Sequence, residues 1–201
     1  MSGKQIAVFD FDGTLTKRDS FISFARFATG TPKFILALML SGIDILKWKT
    51  GMTDSSAAKE KLFGRLFRGM HIDEFRQFGE RFADYIDKNK RPETADALRE
   101  FIRKGIPVII LTASVPFWIE PWAHRNGVSS VIGTEVETDG EGFLTGRFRS
   151  PNCRGEEKVR RLAEAFPDLD SYEIWAYGDS SGDDALLALS DHPRRVRTSL
   201  F

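Results

Sequence analysis

The apolar run Ile6-Ala7-Val8-Phe9 ends directly in Asp10-Phe11-Asp12-Gly13-Thr14, and this junction constrains the fold more than any other stretch of the chain. The run is too short for a helix and too apolar for a loop, so it predicts a strand buried on both faces. The two carboxylates then stand at its carboxyl end, where open α/β sheets bind their ligands. Gly13 lets the backbone turn sharply there and approach a ligand closely. Residues at i and i+2 of an extended segment point the same way, so Asp10 and Asp12 can address one atom or one cation. That is the geometry of a nucleophile beside an acid/base.

A D-x-D-G-T string can also be an ordinary turn, because Asp and Gly favour Asx-turns and left-handed conformations. A second acidic cluster weighs against this. Gly178-Asp179-Ser180-Ser181-Gly182-Asp183-Asp184 follows the strand-like Tyr172-Glu173-Ile174-Trp175-Ala176-Tyr177 and precedes the helix-like Ala185-Leu186-Leu187-Ala188-Leu189. Two strand ends thus carry paired acids, the oxygen donors that a hard cation such as Mg2+ prefers.

Two weaker signals lie between them. Gly105 to Leu111 has the pattern of a buried strand and ends in Thr112-Ala113-Ser114, where a hydroxyl and free backbone N–H groups could bind a phosphoryl oxygen. The plainer reading makes Ser114, ahead of Val115-Pro116, a strand-to-helix cap. Gly155-Glu156-Glu157-Lys158 opens another helix, and Lys158 either offsets the charge of phosphate and carboxylates or is a solvated side chain.

Together these elements resemble the haloacid dehalogenase-like superfamily of phosphohydrolases, which shows D-x-D-G-T, a Thr or Ser after the second hydrophobic strand, a Lys and G-D-S-x-x-D-D in that order. The resemblance covers both ends of the chain and residues 106 to 184. It implies Asp10 as nucleophile, Asp12 as general acid/base, and Thr112 and Lys158 as positioners of phosphate and nucleophile. It also implies Mg2+ held by Asp10, Asp179, the backbone carbonyl of Asp12 and, in support, Asp183, with Gly13, Ala113, Ser114 and Asp19 around the substrate. Relatives that release halide or keep a long-lived phosphoenzyme lack an aspartate at the position of Asp12, so its presence favours a phosphatase; phosphoryl transfer to another alcohol uses the same residues.

The implied fold is α/β, a doubly wound Rossmann-like parallel sheet core (residues 1–18 and 90–201) with an inserted α-helical cap (residues 19–89) and a small β-hairpin. Within the insertion Phe21, Phe24 and Phe27, then Phe63 and Phe67, then Phe75, Phe78 and Phe82 recur at helical spacing, as a helix-bundle core requires. Such a cap after the first catalytic turn resembles that of the subfamily that includes phosphoserine phosphatase, and it can close over a cleft and select substrate. Arg91-Pro92 begins the helix back to the core. Pro116 to Asn126 predicts a helix that Pro121 kinks or starts after a turn, with Trp118 and Trp122 packed on the core. Residues 128–134 read as a strand, and alternation around Asp139-Gly140 marks the hairpin.

At 201 residues, 41% hydrophobic and formally neutral, the chain can bury one substantial core, and it lacks the basic excess of a nucleic-acid partner. The single cysteine, Cys153, reads as structural and suits a reducing cytoplasm. Met1 to Gln5 run straight into the first strand, without the length of a signal peptide. His71, His124 and His192 lack metal-ligand spacing.

The substrate is less legible. In the phosphoserine phosphatase pattern a glutamate nine residues after the nucleophile reads the amino group, where this chain has Asp19, and Gly182 stands where those enzymes commonly have Asn. Lys59, Lys61, Arg65 and Arg68 are candidates for a cap cation. The least expected stretch is Phe34 to Leu40, continued by Ile43, Ile45, Leu46 and Trp48 and flanked by Lys33, Lys47 and Lys49. Asp44 interrupts it well short of the roughly 20 apolar residues of a spanning helix. A continuous apolar helix is expected to be buried, in the cap or in a dimer contact; alternatively residues 34–48 lie on a membrane surface, as the basic flanks of peripheral helices do, similar to the cap segment of phosphatidylglycerophosphate phosphatases. The readings that follow are a cytoplasmic Mg2+-dependent phosphatase of a small phosphorylated metabolite, of phosphoserine type or another; a membrane-docking lipid-phosphate phosphatase; and a non-catalytic phospho-aspartate switch, which Asp12 and the long insertion count against.

Overall fold

The computed structural model of the protein describes residues 4–50 and 55–197; the side chains of Ile45, Lys47, Trp48, Lys49 and Ser55 and the segment Met1 to Gly3 lie outside the described residues. The chain opens with β1 (Lys4–Phe9) and continues into helices α1 (Ser20–Thr29), α2 (Thr31–Leu40), α3 (Gly42–Lys49), α4 (Ser55–Phe67), α5 (Ile72–Asn89) and α6 (Pro92–Arg103). Then follow β2 (Val108–Leu111), α7 (Glu120–Arg125), β3 (Ser130–Ile132), β4 (Val136–Thr138), β5 (Leu144–Phe148), α8 (Glu156–Ala165), β6 (Tyr172–Gly178), α9 (Asp184–Leu189) and β7 (His192–Arg195).

Five strands form a parallel sheet in the order β3-β2-β1-β6-β7, and β4 and β5 form a separate antiparallel hairpin. The chain steps from β1 to β2 and β3 on one side, then crosses to β6 and β7 on the other. The switch in direction therefore falls between β1 and β6, where open α/β sheets bind ligands. Phe9 is in register with Ile110 of β2 and Tyr177 of β6, so the residues following these strands emerge along one edge.

Side chains alternate across the sheet as strand geometry demands. Ala7, Phe9, Val108 and Ile110 enter one core, and Ile6, Val8, Ile109 and Leu111 the other, with Leu162 and Leu186 from α8 and α9. The first core is continuous with the helical insertion, where Phe24, Phe63, Phe67, Phe75 and Phe82 are fully buried around Trp118. Phe24 stacks on Trp118 at 4.8 Å and meets Phe75 and Phe82 edge-on, arrangements that add to the burial term. The expected phenylalanine stripes are thus bundle core, except Phe27, which is 42% exposed, and Phe78, which packs half-buried at its edge.

Other expectations shift locally. Pro121 stands in the first turn of α7, after a separate 3-10 turn at Pro116–Trp118, so it starts a helix rather than kinking one. Only Ser130–Ile132 of the expected strand 128–134 pairs with β2. The hairpin turn is held by Asp139, whose carboxylate accepts from the backbone N–H groups of Glu141 and Phe143.

Burial of the apolar segment within the cap is not what the structure shows. In α2 only Phe34 and Ala37 are buried, whereas Leu36 is 53% and Leu40 60% exposed. The helix is apolar around its whole circumference, and α1 and α4 cover only one side of it. No described helix is long and apolar enough to cross a membrane.

Candidate active site

Asp10 follows β1 and is fixed there by its N–H, which donates to Tyr177 O of β6 at 2.8 Å. Its carboxylate is buried and receives Lys158 Nζ at 2.7 Å on Oδ1 and the Thr14 hydroxyl at 3.0 Å on Oδ2. Lys158, from the first turn of α8, is itself only 1% exposed and also donates to Asp183 Oδ1 at 2.6 Å. The solvated-lysine reading is therefore overturned: the ammonium lies between two carboxylates from opposite sides of the switch point. Burial acts to lower its pKa, but Asp10 and Asp183 outweigh this and push it up to about 12.

Asp183 is oriented by a capping box. Its Oδ2 accepts from Asp179 N, Ser180 N and Ser180 Oγ, while the Ser180 hydroxyl accepts from Gly182 N. Against the upward push of burial, Lys158 and these donors hold its carboxyl below the usual range. Asp179 stands differently. Beyond a long 3.5 Å contact from Thr14 Oγ1, its carboxylate accepts no other hydrogen bond among the described residues, and burial followed by the charge of Asp183 raises its pKa.

Ligand atoms of Asp10, Asp179 and Asp183 all lie within 4.8 Å of one another. An all-oxygen set of this kind fits a hard divalent cation. With both Asp183 oxygens engaged by protein donors, Asp179 is the carboxylate with most capacity left for a cation. Gly13 is needed for this convergence: its φ is +83°, and a Cβ there would fall 2.2 Å from Asp179 Oδ2.

Asp12 shares the cleft with Asp10, but its carboxylate stands outside the three-acid cluster. Oδ1 accepts from Ser20 N at 2.6 Å, at the start of α1, and Oδ2 accepts from Ser114 Oγ at 2.6 Å. Burial, then the charge of Asp19, raises its pKa to about 7; burial raises that of Asp10 to about 6 despite Lys158. A carboxyl that keeps its proton near neutrality beside one that ionises more readily is the division of labour of an acid and a nucleophile.

Ser114 is not a helix cap. Val115 precedes the 3-10 turn without a side-chain cap bond, and the serine hydroxyl is spent on Asp12. Thr112 Oγ1 accepts from Ser114 N at 3.0 Å, which leaves its hydroxyl proton for a donor role in the cleft it lines with Ala113. Asp19 caps α1 by accepting from Ile22 N on Oδ1, and it borders the same cleft. All ten residues implied for the site stand in or against it; of the four cap cations, Lys59 borders the cleft, whereas Lys61 and Arg65 pair with Asp44 and Arg68 lies away from it.

Lys59 is joined there by contributors that carried no local signal. Lys59 reaches in from α4 and donates to Ala113 O at 2.7 Å; burial lowers its pKa against the pull of Asp12 and Asp19. Arg154 borders the cleft and donates to the Ser181 hydroxyl. A Cβ at Gly182 would lie 2.7 Å from Arg154 Nε, so the glycine makes room for that guanidinium. Arg91 Nε donates to Gly13 O and Thr94 Oγ1 to Thr14 O, both at 2.7 Å, so the start of α6 clamps the turn after β1. The cleft measures ≈ 320 Å³ and brings Lys59, Arg154 and Lys158 around the acids.

Residues 7–188 match the family described as haloacid dehalogenase-like hydrolase. The chain belongs to this family. The haloacid dehalogenase-like hydrolase described here is similar to the protein CicA of Caulobacter vibrioides, at 33% identity over 191 residues, 92% of this chain and 83% of that protein. It is also similar to a histidinol-phosphatase of Neisseria meningitidis serogroup C, at 26% identity over 96% of this chain and 90% of that one. Among solved structures, a Bordetella pertussis Tohama I protein of unknown function superposes with a TM-score of 0.81 at 25% identity, covering 98% and 90% of the two chains. A substrate-bound phosphoserine phosphatase shares the fold, with a TM-score of 0.61 at 16% identity over 94% and 84%. For a haloacid dehalogenase-like hydrolase, the cluster of Asp10, Asp179 and Asp183 is consistent with a phospho-aspartate mechanism.

Proposed function

We propose that the protein is a Mg2+-dependent phosphomonoesterase that works through a phosphorylated Asp10 on a small phosphorylated metabolite. The observation that carries this reading is the pair of unlike carboxyls, Asp10 held by Lys158 and Thr14, and Asp12, its pKa pushed up to about 7, held by Ser20 and Ser114. Phosphate monoesters hydrolyse so slowly in water that acceleration of up to about 10²¹-fold is asked of such a site. Their dianion also repels an anionic attacker.

Asp10, Asp179, the Asp12 carbonyl and, in support, Asp183 would hold Mg2+, which when bound supplies positive charge against the carboxylate–phosphate repulsion. Lys158 adds a fixed positive charge at Asp10, and the Thr112 hydroxyl and Ala113 N–H are the donors for equatorial phosphate oxygens. An Asp10 oxygen attacks phosphorus, the ester P–O bond breaks, and Asp12 gives its proton to the departing alkoxide. Asp12, now ionised, takes a proton from water as the water oxygen attacks phosphorus. The bond to Asp10 breaks, inorganic phosphate leaves, and Asp12 is protonated again.

Lys59 and Arg154 beside the acids favour a substrate with a second electron-rich group, and Asp19, with only Oδ1 engaged in a hydrogen bond among the described residues, offers an acceptor for an amino group. These features support an amino-acid or amino-alcohol phosphate, in keeping with the relative named a histidinol-phosphatase. A lipid-phosphate substrate is the second reading, favoured by the outward apolar side chains of α2. The test is a phosphate-release screen over amino-acid, amino-alcohol, sugar, nucleotide and lipid phosphates with Mg2+. Wild-type turnover on at least one class and none by a folded Asp10→Asn variant is expected. Undiminished release by purified Asp10→Asn protein would overturn the mechanism.

A further inference from the structure

We infer that the outward face of α2 and α3 is a docking surface for a bilayer containing anionic lipid. Ile35, Leu36, Met39, Leu40, Ile43 and Leu46 are 48% to 71% exposed. Ile35 with Met39 and Leu36 with Leu40 stack at helical i,i+4 spacing, and Ser41 is all that separates α2 from α3. A contiguous apolar face of this kind on a water-soluble surface marks an interaction site rather than scatter.

Charge selects the occupant. Between Lys33 and Asp44 the sequence has no ionisable residue, and segment 31–49 as a whole contains three lysines against one acid. That acid is withdrawn from the outer face: Asp44 is 9% exposed and paired with Lys61 at 2.7 Å and Arg65 at 2.9 Å from α4. Lys33 at the amino end of α2 is exposed. The cap thus neutralises the segment's one acid and leaves an apolar face with Lys33 exposed at its amino end, the chemistry of an interfacial helix. A second copy of the chain fits less well, because two-fold pairing of this face brings two copies of the same lysine-rich segment together.

The surface is tested by binding alone, so its outcome is independent of the phosphatase reading. Flotation with phosphatidylglycerol/phosphatidylcholine vesicles, against phosphatidylcholine alone, should show the wild-type protein bound to the anionic vesicles and released as salt rises. Leu36→Asp with Leu40→Asp should weaken this binding at least tenfold at an unchanged melting temperature, since both side chains already face water. Should that pair disturb folding, Lys33→Glu provides the second arm and should weaken binding at least threefold. Absence of wild-type flotation at low salt, or binding unaffected by Lys33→Glu, overturns the inference. A dimer in sedimentation equilibrium that the double variant dissolves, with no vesicle binding, assigns the face to a second copy instead.

Discussion

Replacing Lys158 by methionine keeps the length of the side chain and removes the one cation among the described residues that both Asp10 and Asp183 touch. The pairs measure 2.7 Å and 2.6 Å and all three side chains are buried, so water cannot replace the ammonium without reorganising the site. Breaking a buried ion pair by deleting one partner costs about 3–5 kcal/mol, which for a domain of this size lowers the melting temperature by about 6–20 °C. The loss should depend on pH. In the wild type, Asp183 has its pKa held low and stabilises the fold above the ordinary carboxylate range, a contribution lost as pH falls. In the variant, Asp10 and Asp183 have folded-state pKa values above their unfolded ones. The variant is therefore best off at low pH and loses stability as pH rises through those values. Denaturant melts of the metal-free proteins at pH 5 and pH 8 should show the larger deficit at pH 8, and adding Asp183→Asn should recover part of it. A deficit under about 1 kcal/mol at pH 8, or one equal at both pH values, would show that Lys158 acts through packing and refute the electrostatic account.

Asp12→Asn should slow turnover by about 10²- to 10⁴-fold and remove the alkaline limb expected of the wild-type pH profile, since burial and the charge of Asp19 raise the Asp12 pKa to about 7. An unchanged alkaline limb in that variant would assign the proton to another group. Chelation should abolish activity and added Mg2+ restore it; at 100-fold excess over its dissociation constant Mg2+ should also stabilise the fold by about 2.7 kcal/mol. Asp179→Asn should erase that stabilisation while leaving the metal-free melting temperature close to wild type, because its carboxylate carries little structural hydrogen bonding. Full activity after rigorous metal removal would remove the cation from the mechanism.

Much of the site was legible because its parts are local. The strand ending in Asp10-Phe11-Asp12-Gly13-Thr14 and the Gly178–Asp184 cluster each announce their geometry within a few residues: extended backbone aligns the two acids, and a glycine turns the chain. Ser180 and Asp183 form their capping box at a spacing that can be read from the sequence. Lys59 was one of four cap cations that spacing left unresolved, and Arg91, Thr94 and Arg154 were not legible as site residues. Their partners Ala113, Gly13, Thr14 and Ser181 are brought to them by packing of α4, α6 and the loop before α8, and sequence spacing carries no trace of that.

By itself the sequence determined the parallel α/β core, the helical insertion and the acids at two strand ends, because hydrophobic periodicity and turn chemistry are properties of neighbouring residues. Only the tertiary structure decided that Lys158 is buried between Asp10 and Asp183, that Ser114 serves Asp12 rather than a helix, and that Leu36 and Leu40 face outward. Each of those outcomes depends on which surface another element covers. A lysine is solvated until two carboxylates close over it, and an apolar helix is core only where a neighbour reaches it; α2 has neighbours on one side and its own apolar residues on the other.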